Sequence, residues 1–361
     1  MAEQSKIWID GGVLKQYATD LLVRRNIAPA DAAVTVDNLI FADLRGIDTH
    51  GVMRLALYLE RIDRGLLAAE NRVAIVREND GMVVVDGGNY LGPVAATLAM
   101  EKAVAKAKNG VAGLGFVRNN HHYGSCAYYA MMALPHDMIG FSCSNTTPLM
   151  APTGGARRLV GNNPFAFAAP AGKYRPFVLD IALSVVAGGK ILLAEKNGQK
   201  IPYGWALDKN GQPTDDPRAG FSDGGLLLPI GGHKGYGMAV MVDILAGVLA
   251  GSAFGTEVQG LADFASTKPL GTGHCMVALN VEAILGIRAF KDRMDALIEE
   301  IKSVPLAEGV ERVYVPGEIE FEVHEKRSRE GVPVSPKVVA ELEALGASVG
   351  LPPVEKRSGP V

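Results

Sequence analysis

Apolar residues recur with helical spacing through the first ninety positions. Val13, Leu14, Tyr17, Leu21 and Leu22 form one stripe between Gly12 and Arg25, which predicts an amphipathic helix. A second helix is predicted from Pro29 toward Leu44, opened by that proline and by Asp31 in its first turn. Leu55, Leu57, Leu59 and Ile62 carry a third helical pattern. If it includes the preceding Asp48-Thr49-His50-Gly51, His50 and Arg54 stand one turn apart on one face, with Tyr58 a further turn along. The pattern then shifts. Val73-Ala74-Ile75-Val76 and Met82-Val83-Val84-Val85-Asp86 read as strands around an Asn79-Asp80-Gly81 turn. Pro93 to Ala107, rich in Ala, Met and Lys, reads as a helix.

Further on, short apolar strands are predicted at Val111–Val117, Ile139–Cys143, Phe165–Ala169, Phe177–Ile181 and Met276–Leu279. Helices are predicted at Gly124–Leu134, Ala289–Val304 and Ser335–Leu345. Tyr236 to Ala250 is almost wholly apolar, but fifteen residues fall short of the roughly 20 that cross a bilayer. It reads as a helix buried in the protein, in which Asp243 requires a partner. Gly255 to Thr272 is expected to be irregular, and the tail from Pro352 to Val361 loose.

Composition narrows the class. The 361 residues are 48% hydrophobic and 21% charged, which suits a globular protein with a large core. A net charge of -3 without a Lys/Arg stripe argues against nucleic acid as a partner. Met1 to Asp10 has no apolar leader, and no membrane association is expected. Cys126, Cys143 and Cys275 are odd in number and far apart, which suggests a reducing cytoplasm with neither a disulfide framework nor a zinc cluster. Two units are expected. Residues 1–90 form a mainly helical one, completed by 310–361, and residues 91–309 form a sheet domain.

The candidate chemistry begins at His50, Arg54 and Tyr58. An imidazole titrates nearest neutrality, and a guanidinium fork matches a carboxylate, so the trio suits work on a small organic acid. Read without context, it is more often an ordinary amphipathic helix with a polar face. Glycine fingerprints for nucleotides fail: Gly113-Leu114-Gly115 and Gly271-Thr272-Gly273 lack the third glycine, and Gly188-Gly189-Lys190 continues with Ile191. Asn119-Asn120-His121-His122-Tyr123-Gly124 lies where a strand gives way to a helix, and its two adjacent histidines point in opposite directions. His122 with Cys126 has helical spacing for a metal, but further ligands are lacking. Asp180 ends an apolar strand, as a functional acid or as a helix cap. Gly231-Gly232-His233-Lys234-Gly235-Tyr236-Gly237 opens the apolar helix. It offers either an anion site with a lysine or a plain flexible connection.

Taken in order, these segments resemble the malate/L-lactate dehydrogenase family of the non-Rossmann type. The matching pieces are Gly46 to Gly51, His122-Tyr123-Gly124, Gly161-Asn162-Asn163-Pro164, Asp180-Ile181-Ala182, Ile201 to Ala206, Gly232 to Gly237 and Pro316-Gly317-Glu318. The resemblance implies an α/β fold of α+β character. Its NAD or NADP would lie on a largely antiparallel sheet beside a helical unit built from the N- and C-terminal segments. It implies hydride transfer between that cofactor and a 2-hydroxy or 2-oxo acid, malate or lactate by default. Ureidoglycolate, sulfolactate and cyclic imine carboxylates are alternatives that the motifs separate poorly. By resemblance, His50 or His122 is the acid/base and Arg54 holds the substrate carboxylate. Thr146, Asp180, Ile181, Ala182, Lys234, Pro316, Gly317 and Glu318 contact the cofactor. A homodimer or dimer of dimers is implied, with no metal. Thr49 stands where many relatives have serine, and His121 where relatives vary. A His-based metallohydrolase or lyase is the alternative from another class, and a plain binding module has no use for a His-Arg pair beside an anion site.

Overall fold

Seven strands and nine helices frame the site in this computed structural model, which describes residues 6–359. The strands are β1 (Ala74–Glu78), β2 (Met82–Asp86), β3 (Ala112–Asn120), β4 (Met138–Ser144), β5 (Phe165–Ala169), β6 (Phe177–Ile181) and β7 (Thr272–Asn280). They form one sheet in the order β1-β2-β3-β7-β4-β5-β6. All neighbours run antiparallel except β2 with β3. The mixed α/β class and largely antiparallel sheet expected from the resemblance are therefore present. β7 was legible only over Met276–Leu279. It starts four residues earlier, because Thr272-Gly273-His274-Cys275 is too small and polar to look like a strand.

The helices are α1 (Gly11–Arg24), α2 (Pro29–Leu44), α3 (Met53–Asp63), α4 (Gly92–Lys108), α5 (Cys126–Met131), α6 (His233–Val242), α7 (Ile287–Ser303), α8 (Glu318–Glu330) and α9 (Pro336–Ser348). α4 and α5 lie close against one face of the sheet because glycines leave room. A Cβ on Gly113 would come within 1.9 Å of the Ala103 carbonyl oxygen, and one on Gly140 within 1.9 Å of that of Ala130. α6 continues in π geometry over Asp243–Leu249, and this continuation packs against β3, β4 and β7. A five-stranded sheet of short strands between Pro148 and Leu227 sits beside it.

The first core joins the two ends of the chain. Leu14, Leu21, Leu39, Leu55, Tyr58 and Leu59 pack with Val332, Val339, Leu342 and Val354. Full burial of a leucine is worth about 1.5–3 kcal/mol, so Leu55 and Leu59 anchor α3 firmly. Ile7–Ile9 pairs with Val332–Val334, which ties the N-terminal segment to the turn before α9. The tail expected to be loose is held as far as Arg357, whose N–H donates to the Trp8 carbonyl at 2.8 Å, and Val354 is buried. Pro360 and Val361, like Met1 to Ser5, lie outside the described residues.

A further expectation needs correcting. The helix beginning at His233 is buried on one side only, since Met241, Ile244, Val248 and Leu249 are 45–60% exposed in the single chain. Its Asp243 is satisfied, accepting from Asn145 Nδ2 at 3.1 Å and the Gly255 N–H at 3.3 Å. α8 was not legible, because Glu-Ile-Glu-Phe-Glu-Val-His-Glu-Lys-Arg carries too little apolar periodicity. No helix among the described residues is long and apolar enough to cross a membrane.

Candidate active site

His50 does not share a helix with Arg54. Asp48–His50 is a single 3-10 turn, Gly51 is extended at ψ -157°, and α3 starts only at Met53. The break has a local cause. Asp43, near the end of α2, accepts from the Val52 N–H at 2.8 Å and so caps α3. Its carboxylate occupies the place where a side chain at residue 51 would go: a Cβ there would sit 1.7 Å from Asp43 Oδ1. Burial pushes the Asp43 carboxyl up to about 8, with Asp48 adding to the rise and the Val52 bond and Arg327 opposing it. Arg327 of α8 pairs with Asp48 and donates to the Asp43 carbonyl at 2.5 Å, so the C-terminal segment pins the turn.

Folding still brings the predicted trio together by another route. Arg54 Nε donates to the Thr49 carbonyl at 2.7 Å, which bends its guanidinium back toward the His50 turn. Among the described residues no other hydrogen bond engages this guanidinium, so its Nη atoms are available to a carboxylate. His122 arrives from the end of β3, and its ring lies 5.5 Å from that of His50 at an interplanar angle of 27°. Tyr58, one turn along α3 and 1% exposed, places its hydroxyl 2.6 Å from His122 Nδ1. Thr49 Oγ1 stands 3.0 Å from His50 Nδ1. In both imidazoles Nδ1 is engaged by a hydroxyl, and among the described residues no hydrogen bond engages Nε2.

Both rings are neutral. Burial, and then Arg54, hold His50 down at about 4. The same two causes hold His122 well below its ordinary value, reinforced by His50. Burial keeps the Tyr58 phenol protonated. His121 is 1% exposed, is held to about 3 by burial and Arg61, and meets Tyr58 edge-on at 5.9 Å, so both adjacent rings lie about 6 Å from that phenol. Cys126 is turned to Tyr123, whose hydroxyl donates to its sulfur at 2.8 Å.

The remaining predicted residues fall into two neighbouring places. Asp180, Ile181, Pro316 and Gly317 line one cavity of about 280 Å³ together with Arg45, Ile47 and Glu320. Asp180 does serve as a cap. Its Oδ2 accepts from the Ala127 N–H and from Ser125 Oγ, both at 2.9 Å, at the start of α5. Burial raises this carboxyl, while those bonds and Arg45 oppose the rise. Ser125 follows His122 by three residues in the chain, but His50, Arg54 and His122 do not themselves line this cavity. Gly317 at φ +95° lies against Val178, whose N–H donates to the Pro316 carbonyl. Glu318 holds that turn from behind, accepting from Lys302 Nζ at 2.8 Å and the Val315 N–H at 2.9 Å. A second cleft, of about 270 Å³ at Asp10, Val13 and Glu355–Arg357, contains none of the predicted residues.

Thr146 follows β4. Its N–H donates to Asn163 Oδ1 at 2.9 Å and its hydroxyl to Asn162 Oδ1 at 2.8 Å. The Leu183 N–H donates to the Asn162 carbonyl, and the Ile230 N–H to that of Leu183, which brings the start of α6 alongside. Ala182 is half-buried in this run, while Lys234 is exposed in the first turn of α6. Thr146, Ala182 and Lys234 thus lie along one connected path.

Sequence reasoning missed Arg45. It is 3% exposed, its guanidinium lies over the Phe41 and Phe321 rings at 5.2 and 4.5 Å, and its Nε has no partner. An unpaired buried donor in the wall of a cavity that also presents Asp180 and Glu320 suits a polar ligand with both donors and acceptors. A nicotinamide dinucleotide carries groups of both kinds. Nothing in the order of the chain foretold it, since Arg45 reads simply as the basic end of α2.

Residues 9–343 match the family described as malate/L-lactate dehydrogenase. A malate dehydrogenase of Pyrococcus abyssi is 38% identical over 360 residues, covering 98% of each chain. The NAD(+) ureidoglycolate dehydrogenase of Escherichia coli K12 is 34% identical, covering 89% of this chain and 90% of its own. The solved sulfolactate dehydrogenase of Methanocaldococcus jannaschii superposes with a TM-score of 0.89 at 36% identity, covering 96% of this chain and 98% of that one. Seven motifs in order, the fold and these likenesses agree: the chain belongs to the malate/L-lactate dehydrogenase family, oxidoreductases of 2-hydroxy acids that work with a nicotinamide cofactor.

Proposed function

We propose that the protein interconverts a small 2-oxo acid and its 2-hydroxy acid, malate or lactate in the first instance, with Arg54 holding the carboxylate and His122 carrying the proton. One observation supports this most: His122 is stacked 5.5 Å from His50, with its Nδ1 fixed at 2.6 Å by Tyr58 and Nε2 left free. Bound NAD(H) or NADP(H) supplies the hydride chemistry. Asp180, Ile181, Ala182, Pro316 and Gly317 would hold it at the cavity, with Thr146 and Lys234 along the path to α6 and Glu318 bracing the Pro316–Gly317 turn.

The proton has a defined route. When a hydroxy acid is oxidised, neutral His122 accepts the hydroxyl proton at Nε2 while Nδ1–H is held by the Tyr58 oxygen. In the reverse direction the imidazolium returns it to the carbonyl oxygen. An imidazolium beside Arg54 is disfavoured while Arg54 is unpaired. A carboxylate seated on the guanidinium offsets that charge and lets the ring protonate. His50, with its Nδ1 tied to the neighbouring Thr49, walls the same space and orients the oxygen.

The exposed apolar stripe of Met241, Ile244, Val248 and Leu249 supports a homodimer or a dimer of dimers, tested by sedimentation. Three unpaired cysteines favour a reducing, cytoplasmic setting. The activity is tested by incubating purified protein with NADH or NADPH and with pyruvate, oxaloacetate or piperideine-2-carboxylate. Cofactor oxidation with a 2-oxo acid is expected. Oxidation with the imine alone overturns the substrate class, and none with any overturns the reading.

A further inference from the structure

His122 sits in a segment, His121–Ser125, that has left the sheet and forms no regular element. Something other than ladder hydrogen bonds must fix its geometry. Three rings lie face to face beneath it. His274, from β7, is stacked on Tyr123 at 4.1 Å and 4°, and Tyr123 on Tyr129 at 4.6 Å and 11°. Tyr123 is the residue after His122. The Tyr129 hydroxyl donates to the Tyr123 carbonyl at 2.5 Å, so both the ring and the peptide of that residue are held.

His274 is the unusual member. It is fully buried, 2.9 Å from Ser144 Oγ through Nδ1, and its ring also bears on the His121 backbone. Core packing alone does not call for an imidazole at such a place. A flat ring lying 4° from parallel with Tyr123 does explain its presence, because an aliphatic side chain could not keep that ring from tilting.

We propose that His274 is a positioning residue for His122. Its imidazole, seated on Ser144, fixes the Tyr123 ring, and with Tyr129 it sets the His122 peptide where Nδ1 meets Tyr58. The inference rests on the reading that His122 carries the proton. It adds a residue that touches neither substrate nor cofactor.

The test compares His274→Leu, His274→Phe and Tyr129→Phe in the full-length protein. His274→Leu is expected to lower kcat about tenfold or more while the KM values for cofactor and oxo acid stay within about twofold, as misplacement of a reacting group does. His274→Phe, which keeps a flat ring, is expected to recover most of that loss. Tyr129→Phe removes only the hydroxyl on the Tyr123 carbonyl and gives a second reading should His274→Leu fail to fold. Its kcat is expected to fall about tenfold. Combining His274→Leu, or Tyr129→Phe, with Tyr58→Phe is expected to cost less than the product of the single losses, because both act through one imidazole. Full kcat in folded His274→Leu and Tyr129→Phe, or independent losses in the double variants, overturns the proposal. A wild-type protein inactive with every acid overturns the parent reading instead.

Discussion

Tyr58→Phe perturbs the site by one oxygen atom. The ring stays in the core with Leu55 and Leu59, so the fold is retained, but the 2.6 Å contact to His122 Nδ1 is lost. A buried polar atom left without a partner costs about 1–3 kcal/mol. If that cost is felt where the ring must be correctly turned and charged, one factor of ten per 1.36 kcal/mol gives a fall of about 5- to 150-fold in kcat. The imidazolium formed during hydroxy-acid oxidation also loses the oxygen that accepts its Nδ1–H. The loss is therefore expected to be at least as large in that direction as in reduction. Steady-state kinetics in both directions, with thermal melting to confirm the fold, provide the assay. A folded Tyr58→Phe protein with wild-type kcat in both directions would refute the assignment of Tyr58 as the group that orients His122.

Three other outcomes follow from the same geometry. Arg54→Lys replaces a bidentate fork by a point charge and is expected to raise KM for the acid tenfold or so with a smaller change in kcat; unchanged constants would remove Arg54 from the carboxylate site. Asp43 holds its proton up to about pH 8 in the folded state against an ordinary 3.8, so its contribution to stability is full below about pH 4 and lost as pH rises through 8. Asp43→Asn keeps an oxygen for the Val52 N–H and escapes that loss. Its melting temperature relative to wild type is expected to climb with pH between about 5 and 8, and a difference independent of pH would be contrary. His274 is depressed to about 3 from 6.5, so it contributes stability that is present above about pH 6.5 and lost as pH falls toward 3. His274→Phe is expected to flatten the acid limb of a urea-unfolding series by up to about 1.4 kcal/mol per pH unit; an unchanged slope would show that the fold does not hold His274 neutral.

Local periodicity made the regular elements legible, and tertiary contacts decided the rest. α1, α2, α4 and α7 stand within two residues of their predicted bounds because each has an apolar stripe and a Pro, Gly or acid at its start. The His50–Arg54 helix was misjudged because the break is imposed by Asp43, which reaches Val52 from a different helix. The two residues nevertheless meet, through a side chain folded back on a carbonyl rather than through helical spacing. α8 is charged along its length and holds its place through Arg327 and Phe321, contacts that cannot be read from spacing. The apolar helix at His233 looked buried because sequence alone does not distinguish a face turned to the core from one left for a partner. Asp180 is a helix cap, one of the two readings its place allowed, and it also lines the cavity.

Isotope transfer tests the proposed reaction most directly. Wild-type protein is incubated with a 2-oxo acid and with NADH or NADPH deuterated at the transferable position, and the product is read by mass spectrometry. Hydroxy acid with one deuterium at C2, lost together with turnover in His122→Ala but only partly in His50→Ala, is the predicted result. Product without deuterium, or turnover intact in His122→Ala, would contradict the account.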